Sequence, residues 1–152
     1  MRTTLVAVGK LRPSFRDASD EYLTRIRRYG PFEEREIREA GRAPTPSARQ
    51  KEETSRIAAA LPARATVVLL DQGGSGWTSE ELATKLEGWR GSGKAVVLVI
   101  GGAFGVDPAG LGPGLTRWSL GPLTLAHELA RVVVLEQWYR AWTILRGEPY
   151  HK

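Results

Sequence analysis

The feature that most constrains the fold of this chain is an alternation of short apolar runs with longer stretches of helical periodicity. Three strand-like runs, Leu5 to Gly9, Thr66 to Asp71 and Ala95 to Ile100, have the length and apolar character of buried strands. Helical patterns lie between them. The sequence therefore predicts an α/β fold, with a mostly parallel sheet flanked by helices on both faces. Its 152 residues fit a single domain, 1–152.

Helix-capping residues and glycines indicate where the remaining helices, loops and strands begin and end. Thr78 and Glu81 have the spacing of a capping box, which starts a helix. Glycines mark Gln72 to Gly76 and Gly101 to Gly105 as loops, and a short helix is expected from Asp107. The predicted helices are Ser14 to about Arg28, Ala48 to Leu61, Thr78 to about Trp89 and about Leu123 to Arg146; the further strands are Phe32 to Glu39, at an edge, and Leu115 to Leu120.

Three of the predicted strands end at glycine or proline. Gly73 follows Asp71, Gly101 and Gly102 follow Ile100, and Gly121-Pro122 follows Leu120. Parallel sheets bind ligands beyond the carboxyl ends of their strands, and glycine lets a ligand approach the backbone closely. Each loop alone is better explained as a turn of the chain, but together they modestly favour a ligand pocket. None has the spacing of a P-loop or a dinucleotide fingerprint, so a nucleotide cofactor held by backbone amides fits better than ATP or NAD.

Composition excludes several kinds of chemistry. The chain has no cysteine and only two histidines, so we expect no disulfide, no thiolate nucleophile and no metal site. A net charge of +5 is typical of proteins with a polyanionic partner, although many basic proteins have none. No apolar run approaches the roughly 20 residues that span a bilayer, and Met1 leads directly into a strand pattern rather than a signal peptide. These features predict a soluble, cytoplasmic protein with no membrane contact.

The last predicted helix is apolar on nearly every side, whereas a surface helix needs only one apolar stripe. We therefore expect a second copy of the chain to cover it, with a central helix in a monomer as the alternative. Glu136 and Arg140 have the four-residue spacing of a helical ion pair. The tail ends in Tyr150, His151 and Lys152, residues able to stack on a base, move a proton and meet a phosphate. Frayed chain ends are the alternative interpretation.

Five motifs together resemble the RlmH-type family of SPOUT-class methyltransferases, which modify N3 of a pseudouridine in the 23S RNA of the large ribosomal subunit. They are Leu5 to Lys10, Leu98 to Gly102, Ser119-Leu120 leading into Leu123 to His127, Tyr139 to Trp142, and Pro149 to His151. The resemblance covers the full length, in order and with similar spacing. The chain departs from the commoner pattern at Ala103-Phe104 (often Pro-Glu), at Ala126 and Glu128 (often proline), and at Lys152 (often arginine).

This resemblance implies a SPOUT-type fold with a C-terminal trefoil knot, a homodimer, S-adenosylmethionine as the cofactor, and ribosomal RNA or the ribosome as the partner. The chemistry of the implied methyl transfer gives His151, Tyr150, Glu136 and Arg140 as candidate catalytic residues. His151 and Glu136 are the candidate bases for the N3 proton, Arg140 would stabilise negative charge on the ring, and Tyr150 would hold the base. The implied cofactor contacts are Leu70, Gly102, Gly121, Pro122, Leu123, Thr124, Leu125 and Ala126.

A basic surface is also expected to recruit the RNA, made of Arg25, Arg27, Arg28, Arg49, Lys51 and Arg56. Two other classes of protein stay open at this point. One is a non-catalytic basic RNA-binding or ribosome-associated protein, in which the glycine loops are only turns. The other is a different α/β nucleotide enzyme, such as a flavodoxin-like protein.

Overall fold

The computed structural model describes residues 1–152 and contains one five-stranded sheet in the order β2-β1-β4-β3-β5, with every pairing parallel. This confirms the predicted α/β class and the edge position of the second strand. The elements are β1 (Thr3–Val8), α1 (Pro13–Ile26), β2 (Phe32–Ile37), α2 (Pro46–Ala60), β3 (Thr66–Gly76), α3 (Ser79–Gly91), β4 (Val96–Ile100), β5 (Thr116–Ser119) and α4 (His127–Arg146), with a 3-10 turn at Pro108–Leu111.

Two apolar layers hold the sheet between helices. Alternate residues of β1 point to opposite faces, and all six of its residues are buried. Leu5 and Ala7 face the layer formed with α1, α3 and α4, whereas Val6 and Val8 face the layer formed with Ile57 of α2. Because all strands are parallel, their carboxyl ends share one edge of the sheet, which we name the carboxyl edge. The opposite edge is the amino edge.

The segment Gln72 to Gly76 was predicted to be a loop, and this prediction is wrong. These residues extend β3, and after a register shift that follows Leu70, Ser75 and Gly76 pair with β5. The glycines of this segment allow two strands to approach each other closely and do not form a turn. A Cβ added at Gly74 would lie 2.6 Å from the carbonyl carbon of Arg117, so only glycine lets the two strands approach this closely.

The last helix begins at His127 rather than at about Leu123. Gly121 has a φ of 121°, which turns the chain sharply after β5. The side-chain amide of Gln72 then donates a 2.9 Å hydrogen bond to the carbonyl of Pro122, holding this loop beside β3. The expected short helix after Asp107 is one 3-10 turn. The trefoil knot stays a prediction. No helix has the length and apolarity to cross a membrane.

Candidate active site

A cavity of about 170 Å³ opens at the carboxyl edge, between the loops that follow β4 and β5, the middle of β3 and the first turn of α4. Six of the eight predicted cofactor residues line it: Leu70, Gly102, Gly121, Leu123, Thr124 and Leu125. Pro122 and Ala126 belong to the same loop without lining the cavity; Ala126 directly precedes α4. We name this cavity the loop pocket. Contact of these residues with a cofactor stays a prediction.

Side chains of α2 support the Gly101–Asp107 loop from behind. Gln50 donates to the carbonyl of Phe104 at 3.1 Å, and the hydroxyl of Thr54 accepts from the amide of Asp107 at 3.1 Å. Glu53 lies between them in sequence and is buried. One of its carboxylate oxygens accepts from the amide of Ala40 at 2.9 Å, and the other has no hydrogen-bond partner. This support fixes the loop that carries Gly102.

Gly102 itself is tightly confined. A Cβ added there would lie 3.0 Å from the unpartnered oxygen of Glu53 and 3.1 Å from a methyl carbon of Val8. Sequence reasoning missed Gln50, Glu53 and Thr54 because polar residues on a basic helix are normally solvated. The available signal was their spacing: together with Ile57 they follow the i, i+3, i+4, i+7 pattern of one helix face.

The predicted catalytic residues meet elsewhere, along the second half of α4. We name Glu136, Arg140, Tyr150, His151 and Glu80 the tail cluster. One carboxylate oxygen of Glu136 accepts from the guanidinium of Arg140 at 2.6 and 3.0 Å and from the hydroxyl of Tyr150 at 3.0 Å. His151 places its Nδ1 3.3 Å from Arg140 and its Nε2 2.8 Å from the carboxylate of Glu80. Glu80 was not predicted, because it lies 71 residues from His151 in the sequence.

Electrostatics separates the roles available to these groups. Burial, the neighbouring Tyr22 and the hydrogen bond to Glu136 raise the pKa of Tyr150, so its phenol stays protonated and acts as a donor. The hydrogen bond to Glu136 raises the pKa of Arg140. A backbone hydrogen bond and His151 lower the pKa of Glu80. A neutral His151 with its proton on Nε2 satisfies both contacts, since Nδ1 then accepts from Arg140.

The C-terminal tail folds back on the helices rather than fraying. Tyr29 donates a 2.6 Å hydrogen bond to the carboxylate of Glu148. The ring of Tyr150 packs edge-on against that of Tyr139, with centroids 4.7 Å apart, and the guanidinium of Arg140 lies 4.7 Å from the Tyr150 centroid. Together with the contacts of His151, they give Tyr150 and His151 a defined place beside α4, which the frayed-end interpretation does not predict.

The loop pocket and the tail cluster are separate within one chain. Ala130, the last pocket residue of α4, precedes Glu136 by six residues and Arg140 by ten. At 1.5 Å per residue these separations are about 9 and about 15 Å along the helix. Large apolar side chains stay exposed at the pocket end: Leu129 is 42% exposed and Leu123 is 76% exposed. One chain therefore leaves part of the apolar surface around α4 uncovered.

The expected basic surface divides into two. Arg25, Arg27 and Arg28 lie at the end of α1, which leads into the start of β2 at the amino edge. Arg49 and Lys51 lie in the first half of α2, which begins at the carboxyl edge, and Arg56 binds the carbonyls of the residues that follow β2. Only the second group is near the loop pocket. No group of three potential metal ligands occurs in residues 1–152.

Comparison with known proteins gives a full-length match. A family model described as "Predicted SPOUT methyltransferase" matches residues 1–151. Many relatives that carry the name "Ribosomal RNA large subunit methyltransferase H" match this chain, among them the following three. The one from Solidesulfovibrio magneticus is 48% identical over 97% of this chain and 96% of its own length. The one from Rubrobacter xylanophilus is 48% identical over 99% and 98%. The one from Polynucleobacter asymbioticus is 40% identical over 100% and 99%.

Proposed function

Because the chain belongs to the SPOUT methyltransferase family, whose members use S-adenosylmethionine, we propose that it methylates N3 of a pseudouridine in 23S ribosomal RNA, in the cytoplasm. The observation that carries the proposal is the loop pocket, where six of the residues matched to the family's cofactor site meet at the carboxyl edge. The family match decides against the two other classes that the sequence left open, a non-catalytic RNA-binding protein and a flavodoxin-like enzyme.

The lining of the loop pocket suits this cofactor. Leu70, Ile100 and Leu125 supply apolar surface for an adenine ring, and the backbone at Gly101 and Gly102 supplies polar groups. The cofactor, when bound, supplies the electrophilic methyl group. The cavity of about 170 Å³ is smaller than the roughly 300–1,000 Å³ usual for such sites. The exposed Leu123 loop must therefore move outwards, or a second chain must extend the pocket.

A homodimer would extend the loop pocket and would also bring the tail cluster to it. No residue of the tail cluster lines the loop pocket of its own chain, and Leu123 and Leu129 leave apolar surface uncovered at the pocket end. We propose that two copies pair across this surface, so that the tail cluster of one copy meets the loop pocket of the other. Residues from two chains then form each active site, and an isolated chain would have low activity.

Within that site the residues have distinct tasks. The uracil-like ring keeps its N3 proton at neutral pH, so Glu136 or His151 accepts it as the methyl is transferred. Arg140 stabilises the negative charge that develops on the ring carbonyls, and the protonated Tyr150 orients the base. In the free chain both ring nitrogens of His151 have partners. The 3.3 Å contact of its Nδ1 with Arg140 is the longer one, and substrate must displace it before His151 acts as the base.

The first test is calorimetric titration with S-adenosylmethionine. The parent should bind, and Gly102→Trp should not, because there is no room for a side chain at that position. Gly88→Trp is the matched control, since Gly88 lies on α3 with open space around it. Loss of binding in both variants would remove the evidence for the loop pocket. Absence of binding by the folded parent would contradict the proposed function.

The second test separates the tail cluster from cofactor binding. His151→Ala should lower transfer of labelled methyl groups to ribosomes far more than it lowers affinity for S-adenosylmethionine. Equal losses of transfer and affinity would exclude a catalytic role for His151.

A further inference from the structure

A second and larger cavity opens at the carboxyl edge, at the ends of β1 and β2. It has a volume of about 880 Å³ and is bounded by Gly9 and Lys10 after β1, by the end of β2 and the chain that follows it, and by Glu52 and Arg56 of α2. We name it the β1–β2 cleft. Only two of its eleven lining residues are hydrophobic, so its surface suits a polar or charged occupant. The proposed methyl transfer makes no use of it.

The charges of the cleft are unequally neutralised. Among its cations, Arg56 pairs with Glu52, whereas Lys10, Arg38 and Arg42 have no carboxylate within ion-pair distance. Among its carboxylates, Glu36 pairs with Arg16 and Arg131 outside the cleft. Glu39 alone is unpaired. The lining as a whole has four cations and three carboxylates, a net charge of +1, and its three unpaired cations are available to an anionic occupant.

The cleft and the loop pocket share a wall. β1 and β4 are neighbouring strands, with Ala7 aligned to Ile100, so this register continues to place Gly9 beside Gly102. Neighbouring parallel strands are about 4.8 Å apart. Glu53 connects the two cavities, because it binds the amide of Ala40 in the cleft wall and faces Gly102 in the pocket wall. An extended polyanion whose reacting group enters the loop pocket can therefore reach the free cations of the cleft.

We infer that the β1–β2 cleft binds backbone phosphates of the ribosomal RNA next to the nucleotide that is methylated. This inference rests on the proposed function for the identity of the polyanion. The three free cations come from separate segments, after β1 and after β2, and are spread along an open cleft. Such a spread suits successive phosphates of a chain better than a single small anion. Backbone contacts of this kind position a substrate without reading its bases.

The test measures binding of the labelled protein to purified bacterial ribosomes whose 23S RNA lacks the methyl group, over a range of salt concentrations. The double variant Lys10→Ala/Arg38→Ala removes one lysine and one arginine from the cleft. Its affinity should fall about tenfold at moderate salt, and the slope of log affinity against log salt should fall by about 1.4. The matched control is Arg2→Ala/Lys94→Ala, which removes the same two residue types from the amino edge and should bind like the parent.

A third variant should act in the opposite direction. Glu39→Gln removes the one free carboxylate of the cleft and should tighten ribosome binding several-fold, an effect that damage to the fold does not produce. Unchanged or weaker binding by Glu39→Gln, or equal effects of the two double variants, would overturn the inference. Methyl transfer and S-adenosylmethionine affinity are measured on the same preparations. If the cleft variants change ribosome binding but the parent transfers no methyl group, the proposed function is contradicted. The cleft would still be a ribosome-binding site.

Discussion

Arg131 and Arg140 lie nine residues apart on α4, and both pair with glutamates, but their surroundings differ. The side chain of Arg131 is 1% exposed; it contacts Glu34 at 2.9 Å and Glu36 at 3.6 Å, and donates to the carbonyl of Gly9 at 2.8 Å. The side chain of Arg140 is 24% exposed and binds Glu136, its neighbour one turn away on the same helix. The first arginine joins three elements of the fold, whereas the second remains within reach of solvent.

This difference in surroundings distinguishes a structural arginine from a functional one, which residue type alone does not do. Removing charges from water is costly, so a buried ion pair adds little stability over apolar packing, but losing one partner is strongly destabilising. Arg131 fixes α4 against β2 and the end of β1, at the wall of the β1–β2 cleft. Arg140 has a partner that compensates its charge and an accessible face for a substrate. A group of this second kind is suited to chemistry because its partners can change without unfolding the protein.

The strongest test of this comparison is Arg140→Met. Methyl transfer should fall about 10²–10³-fold, the usual loss when one donor to a developing negative charge is removed. The free energy of unfolding should change by only about 1 kcal/mol or less, because a partly exposed pair contributes little stability. Single-turnover methylation and urea unfolding measure the two effects. A large loss of stability would place Arg140 with Arg131 as a structural residue.

Arg131→Met should show the reverse pattern. The variant leaves Glu34 with Arg16 as its remaining partner and leaves the carbonyl of Gly9 without its donor. The free energy of unfolding should fall by about 3 kcal/mol, the lower end for breaking a buried pair. Methyl transfer per folded molecule should change less than in Arg140→Met. Urea unfolding gives the first quantity, and transfer normalised to the folded fraction gives the second. A stability loss below that of Arg140→Met would remove the distinction.

The sequence predicted the parts of the fold that follow from apolar pattern. The runs at Leu5 and Ala95 are apolar because both sheet faces are covered, and such runs have few alternative structures. The function of Gly74 was not predictable in the same way, because a glycine that permits close strand contact looks identical to one that turns the chain. The buried state of Arg131 was equally hidden, since its partners Glu34 and Glu36 come from β2, almost one hundred residues away.

The candidate site shows the same limit. The resemblance to a family supplied the cofactor residues, and the chemistry of the implied reaction supplied the catalytic candidates. The structure brings each set together: six cofactor residues around the loop pocket and four catalytic residues in the tail cluster. The distance between the cofactor residues and the catalytic residues was not predictable from the sequence or from the resemblance. It depends on the position along α4 at which each set meets the helix, which is a property of packing rather than of local sequence.

Acid titration gives a third and smaller effect, to which the buried carboxyl of Glu34 contributes. Burial opposes the charge on Glu34, but the hydrogen bonds from Arg16 and Arg131 outweigh it and lower its pKa below the ordinary value of 4.5. A carboxyl whose pKa is lower in the folded state stabilises the fold above about pH 4.5, and this contribution is lost as the pH falls through the folded-state pKa. The free energy of unfolding, measured in urea from pH 6 to pH 3, should therefore decrease towards acid.

The variant Glu34→Gln should start from a lower stability and lose less of it over the same pH range, because it has no carboxylate to protonate at this position. Glu33→Gln is the matched control: Glu33 is the preceding residue of β2, is exposed and makes no ion pair, so this variant should keep the pH dependence of the parent. If both variants flatten the curve equally, the acid sensitivity is a general effect of negative charge on β2. If only Glu34→Gln does so, the stability that depends on ionisation is located at the buried group that holds Arg131.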